Sequence, residues 1–357
     1  MESADNASCP PYPSYPPQGP VYRPPKRWPS VLMGLFFFVL FCFLGISLLV
    51  NLVLLAGGAA FDGAGRLQER FVSHNEWAKN KVAILAIEGT ILDGKGFVKR
   101  QIDKIAKDND VKAVVLRINS PGGTVSGADF IYHHLKKMAA QRQIPMVVSM
   151  GSLAASGGYY VAMAVGHRPD TIFAEPTTWT GSIGVMIPHF NVAKLMADWG
   201  VEQDSVLSHP LKGMGSMTRK MTEEERAIFQ ALVDESFGRF KEVIKQGRAK
   251  FQADPAALDK LATGQVFTAQ DAVQKGLVDR IGFQEDAVEQ AIKLAGLSAD
   301  DVRVVDYKPE FSVVDLLLGQ AKVARPGLDV ESLAELATPK AYYLCTWLAP
   351  LLSSNQN

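Results

Sequence analysis

Three apolar runs rich in β-branched residues dominate the middle of the chain. They cover residues 82–89, 111–119 and 144–150, and each ends in turn residues. Between them, residues 97–108 and 127–141 repeat apolar side chains at the three- to four-residue spacing of a helix. This alternation predicts parallel β-α units and an α/β domain. Because the apolar character of the strands is continuous, we expect the sheet to be covered on both faces.

A long helix is predicted farther along the chain. Thr222 and Glu225 fit the capping box that opens a helix. Apolar residues then recur every three or four positions as far as Ile244. This spacing predicts a helix with one buried face.

The N-terminal region predicts a membrane anchor. Residues 31–56 carry no charged side chain over 26 positions. A helix of that length reaches about 39 Å, enough to cross a hydrocarbon layer of about 30 Å. We interpret this span as an uncleaved transmembrane signal anchor. A signal peptide cleaved near residues 57–60 is the main alternative, and a buried helix of a soluble core is the other.

Charges on either side of the apolar span predict its orientation. Arg23, Lys26 and Arg27 precede the span, whereas Arg66 and Arg70 follow it. The positive-inside bias therefore places the N-terminus in the cytoplasm. We expect a single-pass protein of the cytoplasmic membrane, with the chain that follows the span on the extracytoplasmic side.

Composition divides the chain into five predicted segments. They are a proline-rich disordered tail (1–30), the anchor (31–56), a juxtamembrane connector (57–80), the folded domain (81–305) and a C-terminal extension (306–357). The extension contains an apolar stretch, residues 341–352, that is too short to span a bilayer. We expect it to pack on the domain, with a membrane-surface or subunit contact as the alternative.

Charge and cysteine content argue against several functional classes. Lys+Arg and Asp+Glu both number 37, so there is no basic surplus to indicate nucleic-acid binding. Cys9, Cys42 and Cys345 lie far apart without zinc-ligand spacing or a disulfide framework. We therefore predict neither a metal nor a cofactor.

The segment GSLAASGGYY, residues 151–160, follows the third predicted strand. It places Ser156 among alanines and glycines, which leave room for a substrate backbone, and a turn into a helix would aim N–H groups at developing negative charge. The esterase motif G-x-S-x-G is not matched, because Ala154 replaces its first glycine. A small-residue packing turn accounts for the segment at least as well.

A second glycine-containing turn, NSPGG at residues 119–123, ends the preceding predicted strand. Pro121 fixes its own φ, while Gly122 and Gly123 can present N–H groups in conformations closed to other residues. Sites of α/β proteins assemble at such strand ends. The turn is therefore a candidate oxyanion hole, with an ordinary strand–helix turn as the alternative.

The sequence pattern alone does not identify a general base for Ser156. No recognisable catalytic frame surrounds any of the six histidines: His74, His133, His134, His167, His189 and His209. A Ser-His-Asp triad stays open, because its members need not be close in sequence. Lys212 lies in a glycine- and methionine-containing loop before the capped helix. A lysine base needs desolvation or a neighbour that favours the neutral amine, and spacing alone does not distinguish Lys212 from a surface lysine.

Several segments together resemble the bacterial signal peptide peptidase A family of serine peptidases. They are the stretch from Ser152 to Tyr160, NSPGG, TGSIGV at 180–185, the pattern Lys212-x-x-x-Ser216-x-x-Arg219-x-x-Thr222, and residues 261–282. They occur in order across about residues 82–282, so the similarity covers most of the predicted domain.

The resemblance implies a fold and a catalytic site. The fold would be α/β, with the stacked β-β-α turns of the crotonase and Clp protease superfamily, preceded by one N-terminal transmembrane helix. Ser156 would be the nucleophile, Lys212 the general base, and Ser182 the hydroxyl that orients the lysine amine. The backbone N–H groups of Gly123 and Gly157 would form the oxyanion hole. Family members form membrane-attached rings in which serine and lysine meet across a subunit boundary, which implies a homo-oligomer.

Three positions depart from the family pattern. Met217 replaces the usual proline after the serine of the lysine loop. Gln265 and Ala269 replace arginine and glycine in L-A-x-G-R-V-x-T-G. These positions lie outside the dyad, so they bear on loop rigidity and subunit contacts more than on chemistry.

The sequence therefore predicts a membrane-anchored serine endopeptidase that cleaves apolar peptides, such as remnant signal peptides, through an acyl-enzyme. One alternative is a non-catalytic membrane scaffold of the same fold, which would keep its function in Ser156→Ala. The other is a crotonase-type acyl-CoA enzyme, which CoA would protect from unfolding.

Overall fold

The computed structural model describes residues 19, 33–48, 67–309 and 341–345. The chain divides into two compact units, Met1–Ala64 and Gly65–Asn357. The predicted tail apart from residue 19, residues 57–66 of the predicted connector, and the extension apart from residues 306–309 and 341–345 lie outside the described residues.

In the first unit, residues 33–48 form helix α1, whose side chains are exposed. This helix lies within the predicted anchor 31–56, whose other positions are outside the described residues. In the part of the chain that is described, no helix has both the length and the apolar character needed to cross a membrane. The transmembrane helix therefore stays a prediction.

The second unit is an α/β structure. Its strands are β1 Leu67–His74, β2 Asn80–Glu88, β3 Val111–Ser120, β4 Gly122–Thr124, β5 Met146–Ala155, β6 Ile172–Ala174, β7 Trp179–Gly181, β8 Val266–Thr268, β9 Arg280–Ile281, β10 Val302–Pro309 and β11 Tyr342–Leu344. Its helices are α2 Phe97–Lys107, α3 Val125–Arg142, α4 Gly157–Ala162, α5 Ala193–Asp198, α6 Glu223–Gly247, α7 Ala249–Ala253, α8 Pro255–Leu261, α9 Ala269–Lys275 and α10 Gln284–Leu294. The three predicted strands are observed as β2, β3 and β5.

Most of the strands form one mixed sheet in the order β1-β10-β2-β3-β5-β6-β9. Strands from β10 to β9 run parallel, and β1 pairs antiparallel at the edge. The sheet forks at β5, because β6 pairs with residues 148–150 while β7 pairs with residues 153–155. Strand β7 continues antiparallel to β8, and β4 pairs antiparallel with β11 in a separate small sheet.

The apolar core lies on both faces of the sheet. Successive strand residues point to opposite sides, so Ala83, Leu85, Val114 and Leu116 join the core covered by α2, α3, α4 and α6, while Val82, Ile84, Ala113 and Val115 pack against α10. This arrangement explains the continuous apolar runs and confirms that helices cover both faces.

Helix α6 begins at the predicted capping box and is fixed at both ends. The Thr222 hydroxyl accepts from the Glu225 N–H at 3.2 Å, and the Glu225 carboxylate accepts from the Thr222 N–H at 2.8 Å. After the last turn, Arg248 donates to the Gly276 carbonyl and forms a 2.7 Å ion pair with Asp279. The loop that precedes α6 is therefore attached to a firmly placed helix.

Candidate active site

Strand β5 leads directly into Ser156. The sequence predicted that this strand ends at residue 150, but β5 continues to Ala155 because its last residues pair with β7. Ser156 sits at the junction with α4 at φ +54° and ψ −114°. Such a backbone conformation typically costs a residue with a Cβ about 1–3 kcal/mol. It is held in part by a hydrogen bond from the Ser156 N–H to the Gly181 carbonyl at 2.8 Å.

The Ser156 side chain is buried without a partner. The residue is 1% exposed, and its Oγ has no hydrogen-bond partner among the described residues. An unpaired buried hydroxyl costs about 1–3 kcal/mol, so native structures keep few of them. A turn that serves only packing does not explain an unpaired buried hydroxyl. A nucleophile whose hydroxyl bonds to a base and a substrate only in the working enzyme does explain it.

Ser182 lies beside Ser156 because of the fork in the sheet. Strand β7 runs parallel to the end of β5, with Gly181 opposite Ala155. The next residues along the two strands, Ser182 and Ser156, are therefore neighbours. The Ser182 N–H donates to the Gln265 carbonyl at 2.7 Å. Gln265 acts here through its main chain, so the departure from the family's arginine leaves this bond intact.

The NSPGG turn and the start of α4 pack main chain against main chain. Gly122 has φ +98°, and a Cβ there would come within 2.6 Å of the Gly157 nitrogen. A Cβ on Gly157 would lie 3.2 Å from the Gly123 nitrogen. We call Gly122, Gly123 and Gly157 the glycine cradle. The backbone nitrogens of Gly123 and Gly157 lie close together next to Ser156, which is the arrangement that an oxyanion hole requires.

Ser120 holds the NSPGG turn in place, a role that the sequence pattern does not predict. Its hydroxyl donates to the Gly89 carbonyl at 2.6 Å and accepts from the Gly122 N–H at 3.1 Å. The residue is fully buried. The signal was present in the motif as the serine before Pro121, but its partner Gly89 is supplied by a different loop.

The structure does not bring Lys212 to Ser156 within one chain. Lys212 lies in the short 3₁₀ turn Pro210–Gly213, and its side chain is exposed. Because the Ser156 hydroxyl has no partner in the described ranges, neither Lys212 nor any described histidine bonds to it there. The Ser156–Lys212 dyad and a Ser-His-Asp triad therefore both stay hypotheses. The resemblance to a known family supports only the dyad.

Arg219 ties the Lys212 turn to the start of α6. Its guanidinium donates to the Gly213 carbonyl at 2.9 Å and pairs at two points with Glu225, one of them at 3.0 Å. The hydrogen bond from Arg219 and the Thr222 N–H together lower the pKa of Glu225 to about 2, against the opposing effect of burial. The sequence pattern gives Arg219 no role, whereas its contacts in the structure make it a positioning residue for the loop.

An aromatic cluster lies behind the glycine cradle. Tyr160, on α4, stacks on Tyr343 with ring centroids 5.1 Å apart, and Phe240 contacts both rings. The Tyr160 hydroxyl donates to Asp129, which also pairs with Arg239 at 3.1 Å. Burial and then the bond to Asp129 raise the pKa of Tyr160. The hydroxyl therefore stays neutral and fixes the ring that lines this side of the site.

Two protein families match parts of the chain. Residues 138–298 match Peptidase family S49, and residues 83–176 match Clp protease. The second match runs from β2 to β6, and the mixed sheet fits a Clp-protease-like α/β fold.

Related proteins match over longer ranges. A protein of Synechocystis sp. provisionally named as a protease is 37% identical over 234 residues, 65% of this chain and 81% of that protein. A protein of Enterococcus faecium provisionally named signal peptide peptidase SppA is 34% identical over 262 residues, 70% of this chain and 72% of that one. Protease 4 of Haemophilus influenzae is 34% identical over 279 residues, 73% of this chain but 43% of its own length.

Proposed function

The chain belongs to peptidase family S49 and is a serine peptidase, and we propose that Ser156 is its nucleophile and Lys212 its general base. The matches confirm the resemblance to the signal peptide peptidase A family. They leave the scaffold and acyl-CoA alternatives without support. The buried, unpaired Ser156 hydroxyl in its strained turn is the observation that carries the proposal.

The proposed chemistry is acyl transfer through an ester. The neutral Lys212 amine accepts the Ser156 proton as Oγ attacks the scissile carbonyl carbon. The N–H groups of Gly123 and Gly157 stabilise the oxyanion, and the lysine ammonium then protonates the leaving amine. Lys212, oriented by Ser182, next deprotonates a water that hydrolyses the ester and regenerates the free serine.

The exposed position of Lys212 supports a site shared between subunits. An ordinary lysine is neutral in about one molecule in 2,500 at pH 7, a penalty of about 4.6 kcal/mol. Burial at a subunit boundary favours the neutral amine of a lysine. We therefore propose that Lys212 of one copy enters the Ser156 site of the next in a ring-shaped homo-oligomer.

Apolar side chains around the lysine turn support the same contact. The chain between β7 and this turn exposes large apolar residues, which include Phe190, Leu195, Trp199 and Leu207. Clustered exposed apolar groups mark interaction surfaces. A head-to-tail contact through such a surface closes into a ring when the rotation between copies allows it.

We also propose that the uncharged run 31–56 anchors the protein in the cytoplasmic membrane with the catalytic domain extracytoplasmic. The substrates would be apolar peptides such as signal peptide remnants. The apolar run and the name of the Enterococcus faecium relative support this proposal.

The test is the activity of the full chain on a fluorogenic apolar peptide. Ser156→Ala and Lys212→Met should each lower kcat/KM by about 10³-fold or more. Lys220→Met removes another exposed lysine of the same loop and should keep the wild-type rate. Circular dichroism checks that each variant is folded. Full activity in Ser156→Ala or Lys212→Met would overturn the dyad.

A further inference from the structure

Basic side chains line the outward side of helix α2. The helix carries four basic residues against one acidic residue: Lys99, Arg100, Lys104 and Lys107, with Asp103. At about 3.6 residues per turn these five positions share one side of the helix, opposite the residues that it buries in the core. All five are half-buried or exposed. This side of α2 therefore presents a net positive charge to its surroundings.

Helix α3 extends the positive surface of α2. Lys137 of α3 is exposed, and it lies near His134, as does Lys99 of α2. Burial lowers the pKa of His134. Lys99 and Lys137 lower that pKa further, because they disfavour another positive charge, while Asp103 opposes them. We call the combined surface the basic face and define it as Lys99, Arg100, Lys104, Lys107 and Lys137.

The other side of the sheet carries the opposite charge. Helices α2 and α3 cover one side of the sheet, and α10 covers the other. Helix α10 has three acidic residues, Glu285, Asp286 and Glu289, against one basic residue, Lys293. Because the whole chain is neutral, the basic face reflects a separation of charge across the domain. A helix side that meets only solvent more often mixes both signs.

Lys104 lies beside the first residue of the folded domain. Its amine donates to the carbonyl of Leu67, where β1 begins, at 3.0 Å. Residues 57–66 separate Leu67 from the uncharged run 31–56, and a connection of that length spans at most about 40 Å. The anchor proposed above would therefore keep the Lys104 end of the basic face within about that distance of the bilayer surface.

We propose that the basic face binds the anionic lipid headgroups of the bilayer in which the protein is anchored. Lysine and arginine side chains close to a membrane are attracted to the negative charge of such headgroups. A tether of ten residues keeps the bilayer at a high effective concentration, which favours lipid over a free acidic protein as the partner. The inference rests on the proposed function for the anchor alone. Its consequence is a preferred orientation, with the basic face towards the bilayer and α10 away from it.

The contact can be measured on the wild-type full chain in lipid nanodiscs through the acetylation rates of single lysines. One set of discs contains phosphatidylcholine alone, and the other contains phosphatidylcholine and phosphatidylglycerol in equal parts. At about 0.15 M salt, Lys107 and Lys137 should each react at least about threefold more slowly in the anionic discs, because lysines held at phosphate groups are shielded from the reagent. Peptide mass spectrometry resolves the individual lysines.

Lys293 is the matched control, because it is an exposed lysine of α10 on the other side of the sheet. Its rate should be equal in the two kinds of disc. At about 1 M salt the Debye length falls to about 3 Å, so the protection of Lys107 and Lys137 should disappear. The proposal is overturned if these two lysines react equally fast in both discs, if Lys293 is slowed as much, or if the protection persists at high salt.

A second measurement separates lipid from an acidic protein partner. Poly-glutamate is added to the wild-type chain in phosphatidylcholine discs at the same 0.15 M salt, about one Debye length of 8 Å. It should protect Lys107 and Lys137 less than the anionic discs do. Protection by poly-glutamate without protection in the anionic discs would assign the basic face to an acidic macromolecule and contradict the proposal.

Charge reversal gives a third measurement, made at exposed positions so that folding is preserved. In the double variant Lys107→Glu and Lys137→Glu, Lys104 should react equally fast in the two kinds of disc, because the basic face has lost its positive surplus. Lys293→Glu should keep the protection of Lys104 that the wild type shows. Protection of Lys104 that survives in the double variant would contradict the proposal.

None of these rates depends on peptidase activity. Retention of the protein on affinity-tagged discs without selective protection would remove the headgroup contact and leave the anchor in place. A protein that stays with neither kind of disc would remove the anchor and the contact together. The dyad is tested separately by the activities of Ser156→Ala and Lys212→Met.

Discussion

At the scale of single residues, close approach of two main chains explains the glycines around Ser156. A Cβ on Gly157 would lie 3.1 Å from the Gly122 Cα, and one on Gly158 would lie 3.0 Å from the Ser120 carbonyl oxygen. Such separations are shorter than ordinary packing allows. The small residues of GSLAASGG therefore let two turns meet at the site, and they leave Ser156 as the side chain that faces the cradle.

Glu225 should make stability depend on pH in a defined window. Its pKa is lowered from 4.5 to about 2 in the folded protein. Its stabilising effect is therefore complete above pH 4.5 and is lost as the pH falls towards 2. At pH 7 we expect Glu225→Gln to lower the free energy of unfolding by about 2 kcal/mol, measured by chemical denaturation of the full chain.

The difference between wild type and Glu225→Gln should shrink as the pH falls from 4.5 to 2. Glu224→Gln removes the adjacent carboxylate, which is exposed, and should show no such trend. A difference between wild type and Glu225→Gln that stays constant down to pH 2 would show that the ion pair with Arg219 is not what stabilises this corner.

The sequence predicted the local features around the site but not the contacts between distant segments. The turn at Ser156 and the Thr222–Glu225 cap are local patterns, so the sequence alone could indicate both features. The bond from Ser120 to Gly89 depends on a fold that brings separate loops together. The pairing of Arg219 with Glu225 depends on which way the loop turns before α6.

At the scale of elements, the fork of the sheet at β5 places Ser182 beside Ser156 and so forms one side of the proposed site. The sequence predicted β2, β3 and β5 from their apolar runs, because buried parallel strands leave that signal. It did not predict that β7, three residues long, extends the pairing of β5 to Ala155. Nor could it predict that β11 pairs with β4, because the two segments lie more than 200 positions apart and short strands take their partners from tertiary packing.

The link between the lysine turn and α6 yields a kinetic prediction. Arg219→Ala frees the Gly213 carbonyl and should lower kcat by about 10- to 100-fold with little change in KM, because a base displaced by about 1 Å costs that much. Active sites are counted with a serine-reactive fluorophosphonate, so that a loss of folded protein is not mistaken for a loss of rate.

Arg226→Ala is the matched control for this prediction, since Arg226 is an exposed arginine on the first turn of α6. It should keep the wild-type kcat. If Arg219→Ala also keeps its kcat per titrated site, Arg219 stabilises the loop without positioning the base.

At the scale of the whole molecule, one described chain holds the proposed nucleophile Ser156 and the glycine cradle, while Lys212, the proposed base, is exposed. This division is expected if the active site forms only on assembly. It would also keep the unassembled chain inactive.

The most direct test of this account mixes two inactive proteins. Ser156→Ala and Lys212→Met subunits carry different tags, are co-expressed, and are purified through both tags. In a ring with random neighbours, about a quarter of the sites combine an intact serine with an intact lysine from the adjacent copy. The mixed assembly should therefore recover about a quarter of wild-type activity. A mixed assembly as inactive as its parents would place both groups in one chain and contradict the shared Ser156–Lys212 site.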